Sequence, residues 1–262
     1  ISVVCIAAGG YVINDYFDVE IDKYNKPDKL LITKVFSEKD AIFSYRILTF
    51  VGLSLGLASS IVALNVKFYM LFAILILLTC LLYSYSRTYK KKLVLGNIIV
   101  SFSVAIAVFL PYLFEILYLS ENLLLLSVCK EIVITIVYFV LIYTIFAFLL
   151  TFIREIVKDA EDVDGDGRTH CRTIPVVYGI SKTKAILYIF VLLLSILLLA
   201  YGYILFKMEL YVTLAIIMLV LLCLLFLVVK IYKANGKRDF HSLSIMTKIM
   251  MFIGLLSMLF LR

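Results

Sequence analysis

The sequence predicts an all-α, multi-spanning membrane protein. Three observations carry this. The 262 residues are 64% hydrophobic and only 16% charged, against roughly 45–50% and 25% in soluble domains. The apolar residues fall in long uninterrupted runs, such as 185–206 and 210–229, and a run of about 20 residues crosses a hydrocarbon core. Those runs are apolar all round rather than on one stripe, as a helix surrounded by lipid or protein requires.

Taken in order, the apolar segments are about 1–16, 41–64, 68–86, 97–119, 132–153, 185–206, 210–229 and 243–261. They read as eight transmembrane helices in one domain covering 1–262. The connections at 65–67, 115–130 and 207–209 are short. Those at 17–40, 87–96, 154–184 and 230–242 are long and charged. Of the 25 basic residues, all but Lys67, Lys130, Lys207 and Arg262 fall in or beside these long connections. Alternating spans put every long connection on one side, and the positive-inside rule makes that side cytoplasmic. The net charge of +7 is thus a topology signal. It gives no reason to expect a nucleic-acid partner, because there is no folded soluble part to carry a basic face.

The five cysteines, Cys5, Cys80, Cys129, Cys171 and Cys223, form no CxxC or Cys/His cluster. They read as small apolar side chains rather than a disulfide or zinc framework. The chain opens on Ile1, inside an apolar run without a charged leader. The expectation is that at least one further helix precedes it.

An internal echo carries the chemistry. Asp15, Asp18 and Asp22 are spaced D-x-x-D-x-x-x-D, and Asp159, Asp162 and Asp166 repeat that spacing. Each set follows an apolar helix on the cytoplasmic side, and three helices lie between the two carriers, so both carriers run in the same direction. This suggests two similar halves, about 1–119 and 132–262. Residues at i, i+3 and i+7 share one helical face, so each set forms one carboxylate stripe if its helix continues past the apolar run. Three like charges on a stripe repel, and a helix C-terminus is the unfavourable end for anions. An Asp deeper in the membrane costs a further 2.5–3.5 kcal/mol or so. Such a stripe calls for a cation. Mg²⁺ prefers carboxylate oxygens combined with water and phosphate. Two facing stripes would hold more than one Mg²⁺ with a diphosphate between them, and the metals would neutralise it as a leaving group. Lys23, Lys91, Arg154, Lys158 and Arg172 are candidate cations for the same diphosphate, and the 18 Tyr and 19 Phe supply aromatic faces for a carbocation.

Other readings fit less well. Asp162–Gly167 matches the opening of an EF-hand loop, but Thr173 stands where its twelfth-position Glu belongs. A transporter or channel calls for polar groups along the middle of its helices, where this chain has almost none. A membrane scaffold has no use for two carboxylate stripes.

Asn14-Asp15-x-x-Asp18-x-x-x-Asp22 resembles the first signature of the UbiA superfamily of intramembrane prenyltransferases. Arg154–Asp166 resembles the second signature, Cys171–Gly179 a downstream "RTLP…G" segment, and Tyr83-Ser84, Lys91 and Gly96-Asn97 the segment between the signatures. The resemblance covers nearly the whole chain. It implies nine helices in an intact chain, eight of them visible here, around a central cavity capped on the cytoplasmic side. It implies Mg²⁺-dependent transfer from a polyprenyl diphosphate. Asn14, Asp18, Asp22, Asp162 and Asp166 would be metal and diphosphate ligands, with Asp159 and Asp15 beside them. Tyr83, Ser84, Lys91 and Asn97 would line the diphosphate or cation site. Tyr24-Asn25-Lys26-Pro27-Asp28 and the REIVKDAED wording are most similar to geranylgeranylglyceryl-phosphate geranylgeranyltransferases. An aromatic acceptor such as a hydroxybenzoate or naphthoate is the alternative. The chain departs from the family at 30–34, where a P-x-x-G continuation is common.

Overall fold

The computed structural model describes residues 1–25, 31–62 and 66–261. Of the segment Tyr24–Asp28 used above to place a subgroup, Lys26, Pro27 and Asp28 lie outside the described residues, as do Lys29 and Arg262. Among the described residues, ten α-helices follow one another: α1 Ser2–Asn25, α2 Glu38–Val62, α3 Val66–Arg87, α4 Leu95–Leu119, α5 Leu123–Val128, α6 Lys130–Glu161, α7 Val163–Arg168, α8 Ile174–Lys207, α9 Tyr211–Lys233 and α10 Lys237–Ser257. The fold is all-α, with no strand among the described residues.

Eight of the ten helices are long, and seven of these are long and apolar enough to cross a bilayer. The apolar runs predict eight spans. The difference is α1, whose second half carries Asp15, Asp18, Glu20, Asp22 and Lys23. Its apolar part is too short to fill the core by itself.

The chain divides into two compact units, Ile1–Thr144 and Ile145–Arg262. In the first, α1 packs on α2 and α3, and α3 on α4. Ile6, Leu71, Leu75, Leu78 and Leu110 form a common core. Close approach of α1 and α2 depends on small residues in a G-x-x-x-G pattern, the usual device where helices pack in lipid. A methyl group on Gly52 would stand 2.8 Å from Ile6 Cγ1. Ser2 Oγ also donates to the Gly52 carbonyl at 2.6 Å.

In the second unit, α8 packs on α9, and α9 on α10. The buried residues Leu187, Val191, Leu194, Leu198, Tyr201 and Leu205 recur at helical spacing along α8. Phe152 of α6 meets Phe190 of α8 with ring centroids 4.7 Å apart. Helix α6 outruns the apolar segment ending near 153 because a second stripe follows. Ile153, Ile156, Val157 and Ala160 are all buried, at i, i+3, i+4 and i+7, and this stripe carries the helix on into the charged region. Helix α8 likewise begins eleven residues before the apolar run, with Pro175 in its first turn and a break at Gly179 (φ 78°, ψ 163°).

Candidate active site

The first acidic set lies where the sequence put it. Helix α1 continues past its apolar run to Asn25, so Asn14, Asp15, Asp18 and Asp22 all sit on one continuous helix. They do not share one environment. Asp18 is 4% exposed, Asp22 and Asn14 are half-buried, and Asp15 is exposed. Asn14 Nδ2 donates to Asp18 Oδ2 at 2.7 Å across one helical turn. The Lys90 ammonium donates to the same oxygen.

Lys90 comes from a 3₁₀ turn, Tyr89–Lys91, between α3 and α4. The turn lies hard against the start of α4. A methyl group on Gly96 would stand 3.1 Å from both Lys90 Cα and the Tyr89 carbonyl oxygen, so a side chain there would press the turn outward. The connecting Val94 has φ 61°, a conformation a β-branched residue adopts only when its surroundings impose it.

Lys91, the candidate cation, is one of three consecutive lysines, 90–92. Lys91 is exposed, and its neighbour Lys90 makes the ion pair. Asn97 is buried at the start of α4, and its carbonyl accepts from Ser101 Oγ at 2.6 Å. Tyr83 and Ser84 are half-buried on α3. The Tyr83 ring meets Phe17 edge-on at 5.9 Å and stacks on Tyr45 of α2 at 6.1 Å. An aromatic cluster from three helices therefore adjoins the residue next to Asp18. Lys23 pairs with Glu20 on the exposed side of α1.

The second acidic set departs from the single stripe. Helix α6 ends at Glu161, and Asp162 takes φ −98°, ψ 9°. The short helix α7 then starts at Val163. Asp159 lies on α6, Asp162 at the break and Asp166 within α7, so the helix that was to align them is interrupted. Backbone bonds bridge the break: Asp162 N–H donates to Lys158 O, and Asp166 N–H to Asp162 O, each at 3.0 Å. Asp166 is held from the far side of the break. Thr173 Oγ1 donates to Asp166 Oδ2 at 3.3 Å, and Cys171 N–H to the Asp166 carbonyl at 2.9 Å. Asp162 and Asp166 are 8% and 6% exposed. Asp159 and Lys158 are half-buried, and Arg172 is exposed. Arg154 is engaged by the adjacent Glu155. After the break at Asp162, residues 163–167 lie in α7 rather than in an EF-hand loop, and Thr173 donates to Asp166.

One buried contact had no sequence signal. Glu161 is 7% exposed and meets His241 of α10, Nδ1 to Oε1 2.8 Å. Glu161 lies off the D-x-x-D-x-x-x-D spacing, and 80 residues separate the two partners.

Among the described residues, no three His, Cys, Asp or Glu side chains converge into a metal cage. Mg²⁺ commonly keeps waters and substrate phosphate in its shell rather than using an all-protein cage, so its fit is judged on the donors present. Asn14 supports the fit. With Nδ2 on Asp18, its Oδ1 is buried without a hydrogen-bond donor. Turning the amide over would set two acceptors face to face. A buried amide oxygen beside a buried carboxylate is an all-oxygen donor set of the hard kind that magnesium takes.

An all-helical membrane protein with two acidic helix ends defines a class, and comparison with known proteins supplies the family. The UbiA prenyltransferase family matches residues 1–256, and the chain belongs to it. Among similar proteins, the digeranylgeranylglyceryl phosphate synthase of Saccharolobus solfataricus is 37% identical over 191 residues, 73% of this chain and 59% of that protein. The synthase of Methanosphaera stadtmanae is 31% identical over 258 residues, 97% of this chain and 83% of that protein. The chain thus spans less than two thirds of the first of these relatives. A solved structure described as "Structural and mechanistic insights into the biosynthesis of Digeranylgeranylglyceryl phosphate synthase in membranes" superposes with a TM-score of 0.57. It is 26% identical, with 98% of this chain and 81% of that one covered.

Proposed function

We propose that the protein is a Mg²⁺-dependent prenyltransferase that moves a geranylgeranyl group from its diphosphate to geranylgeranylglyceryl phosphate. The observation that carries this reading is the polar end of α1. There a buried carboxylate, a buried amide oxygen and a lysine ammonium meet beside an aromatic cluster. The relatives named as digeranylgeranylglyceryl phosphate synthases favour the lipid acceptor over an aromatic one.

In the reaction the bond from C1 of the prenyl chain to the diphosphate oxygen breaks, and a new C–O bond forms to an acceptor hydroxyl, whose proton leaves with the diphosphate. Asn14, Asp18 and Asp22 would hold Mg²⁺ from the first acidic end, and Asp159, Asp162 and Asp166 from the second, with Asp15 at the margin. Bound Mg²⁺ supplies the positive charge that makes the diphosphate a good leaving group. Lys90 brings an ammonium to the same diphosphate, and Lys91, Arg154, Lys158 and Arg172 add to the positive field around it. Asn97 at the start of α4 and Ser84 on α3 would line the diphosphate site beside the lysine turn. The Phe17, Tyr45 and Tyr83 rings offer π-faces to the allylic cation as it develops. The basic connections support placing this chemistry on the cytoplasmic side.

The test is to incubate the protein in nanodiscs with geranylgeranyl diphosphate and a panel of acceptors, with and without Mg²⁺. Transfer to geranylgeranylglyceryl phosphate, abolished by EDTA, is expected. Asp18→Ala and Asp162→Ala are expected to lose at least about 100-fold, the scale of removing a group that stabilises transition-state charge. Transfer that ignores EDTA overturns the mechanism, and transfer only to a hydroxybenzoate or naphthoate overturns the acceptor.

A further inference from the structure

We propose that His241 is a positioning residue for the second acidic end, a reading that rests on the prenyl-transfer function above. It sets the direction in which α7 leaves α6, and so where Asp162 and Asp166 present their carboxylates to Mg²⁺ and diphosphate.

The break at Asp162 makes this end adjustable. On a continuous helix, the positions of three aspartates follow from helical geometry alone. Here Asp162 is non-helical, and the bearing of α7 depends on how its two sides are held. Downstream, Thr173 holds Asp166. Upstream, the last turn of α6 is held from inside by the apolar side chains Ile156, Val157 and Ala160, which fix its depth. The polar anchor of its final residue is the bond from His241 to Glu161. Glu161 directly precedes the break, so rotation of that residue carries Asp162 with it.

His241 is suited to this role because α10 is firmly placed. Asp239 Oδ2 accepts from the backbone N–H groups of Asn235 and Gly236 at 2.9 and 3.1 Å, which closes the start of the helix. Phe240 and Leu243 on either side are buried. The imidazole thus projects from a fixed helix, uses Nδ1 as donor to the carboxylate, and keeps nearly half of its side chain exposed, at 47%. A carboxylate as deeply buried as Glu161, with its partner removed, is left uncompensated beside the like charges of the acidic end, and turning it out toward water rotates the residue that directly precedes Asp162. Partners of this kind, one step behind metal-binding groups, commonly change metal affinity about 10- to 100-fold when lost.

The test measures thermal stabilisation of the protein in detergent by Mg²⁺ with geranylgeranyl thiolodiphosphate, a donor analogue that does not react. The Mg²⁺ concentration giving half the effect is read for the wild type and for His241→Ala, His241→Asn and His241→Gln. Asparagine places an N–H close to the Nδ1 position, whereas glutamine reaches the Nε2 position. The expected result is a rise of about 10- to 100-fold for alanine and glutamine, with asparagine close to wild type. The same order is expected in the Mg²⁺ dependence of turnover, with the acceptor KM unmoved. If all three variants melt earlier but keep the wild-type Mg²⁺ dependence, His241 is only a structural strut and the proposal fails. Should His241→Ala not fold, Glu161→Ala and Glu161→Gln read the tether from its other end. Glutamine still accepts the Nδ1 proton and is expected to keep the Mg²⁺ dependence, and equal loss in both overturns the proposal. A wild type that binds Mg²⁺ and analogue but prenylates no acceptor would sink the functional reading and leave this one standing.

Discussion

Lys90 and Asp18, 72 residues apart in the chain, form an ion pair at the polar end of α1. Asp18 is nearly sealed from solvent, with its side chain 6% exposed, and Lys90 is only slightly more open at 19%. Removing one partner of such a pair strands a buried charge, which costs about 3–5 kcal/mol in well-buried cases. Asn14 still donates to Asp18, so Lys90→Met is expected near the lower end, about 3 kcal/mol, measured by thermal unfolding in detergent. Lys91→Met, on an exposed neighbour, is expected within about 0.5 kcal/mol of wild type. The double variant Asp18→Asn, Lys90→Met is expected to regain most of the stability, because neither charge is then stranded, while transfer activity stays lost.

The turn that delivers Lys90 is held by a close approach that a single methyl group disturbs. In Gly96→Ala the added Cβ meets backbone atoms of Tyr89 and Lys90 at 3.1 Å, and backbone yields less than a side chain. Overpacking of this kind costs about 1–3 kcal/mol, and it pushes the ammonium off Asp18. Val94→Gly acts in the opposite sense on stability. It relieves a β-branched residue held at φ 61° and is expected to stabilise or leave unchanged the folded protein. It also frees the turn, so activity is expected to fall. Paired melting and transfer assays on the two variants separate strain from positioning.

How far the sequence was legible follows from which forces it displays. The long helices are written in apolar runs, and seven of them are plain there. The helix ends were misjudged where burial replaced lipid as the driving force. Ile156, Val157 and Ala160 extend α6 by packing inside the protein, and a window tuned to continuous apolarity stops before them. The acidic ends were legible as spacing, and Asn14, Asp18 and Asp22 stand on one helix as that spacing requires. Asp162 shows the limit, since D-x-x-D-x-x-x-D reads the same whether the helix runs through or breaks. Lys90 shows another, because three adjacent lysines differ only in the rotation of a 3₁₀ turn. His241 had no local signal, since its meaning comes from a partner 80 residues away.

Gly179 offers a check on the break at the start of α8. Its φ of 78° with ψ of 163° lies in a region essentially reserved for glycine, at a cost of about 1–3 kcal/mol to other residues. A methyl group there meets nothing within 4 Å, so the cost is conformational and not steric. Gly179→Ala is expected to destabilise by that amount in thermal unfolding, or to straighten α8. Straightening would shift Thr173, and with it the hydrogen bond to Asp166, so a drop in Mg²⁺-dependent transfer larger than the stability loss is expected.

Asp15 and Asp18 test the division of labour within one signature. A stripe of equivalent carboxylates predicts equal losses on substitution. The structure makes them unequal, because Asp15 is exposed while Asp18 is buried and engaged by both Asn14 and Lys90. An exposed carboxylate is well hydrated and contributes to a metal mainly through the local field, which salt screens over about 10 Å at 0.1 M. Asp15→Asn is therefore expected to raise the Mg²⁺ requirement only modestly, by an amount that shrinks further as ionic strength rises. Asp18→Asn is expected to lose transfer across the whole Mg²⁺ range and at any salt. Titrating Mg²⁺ at two ionic strengths for both variants distinguishes the cases. Equal, salt-independent losses would mean that Asp15 turns inward to bind metal directly when the donor arrives.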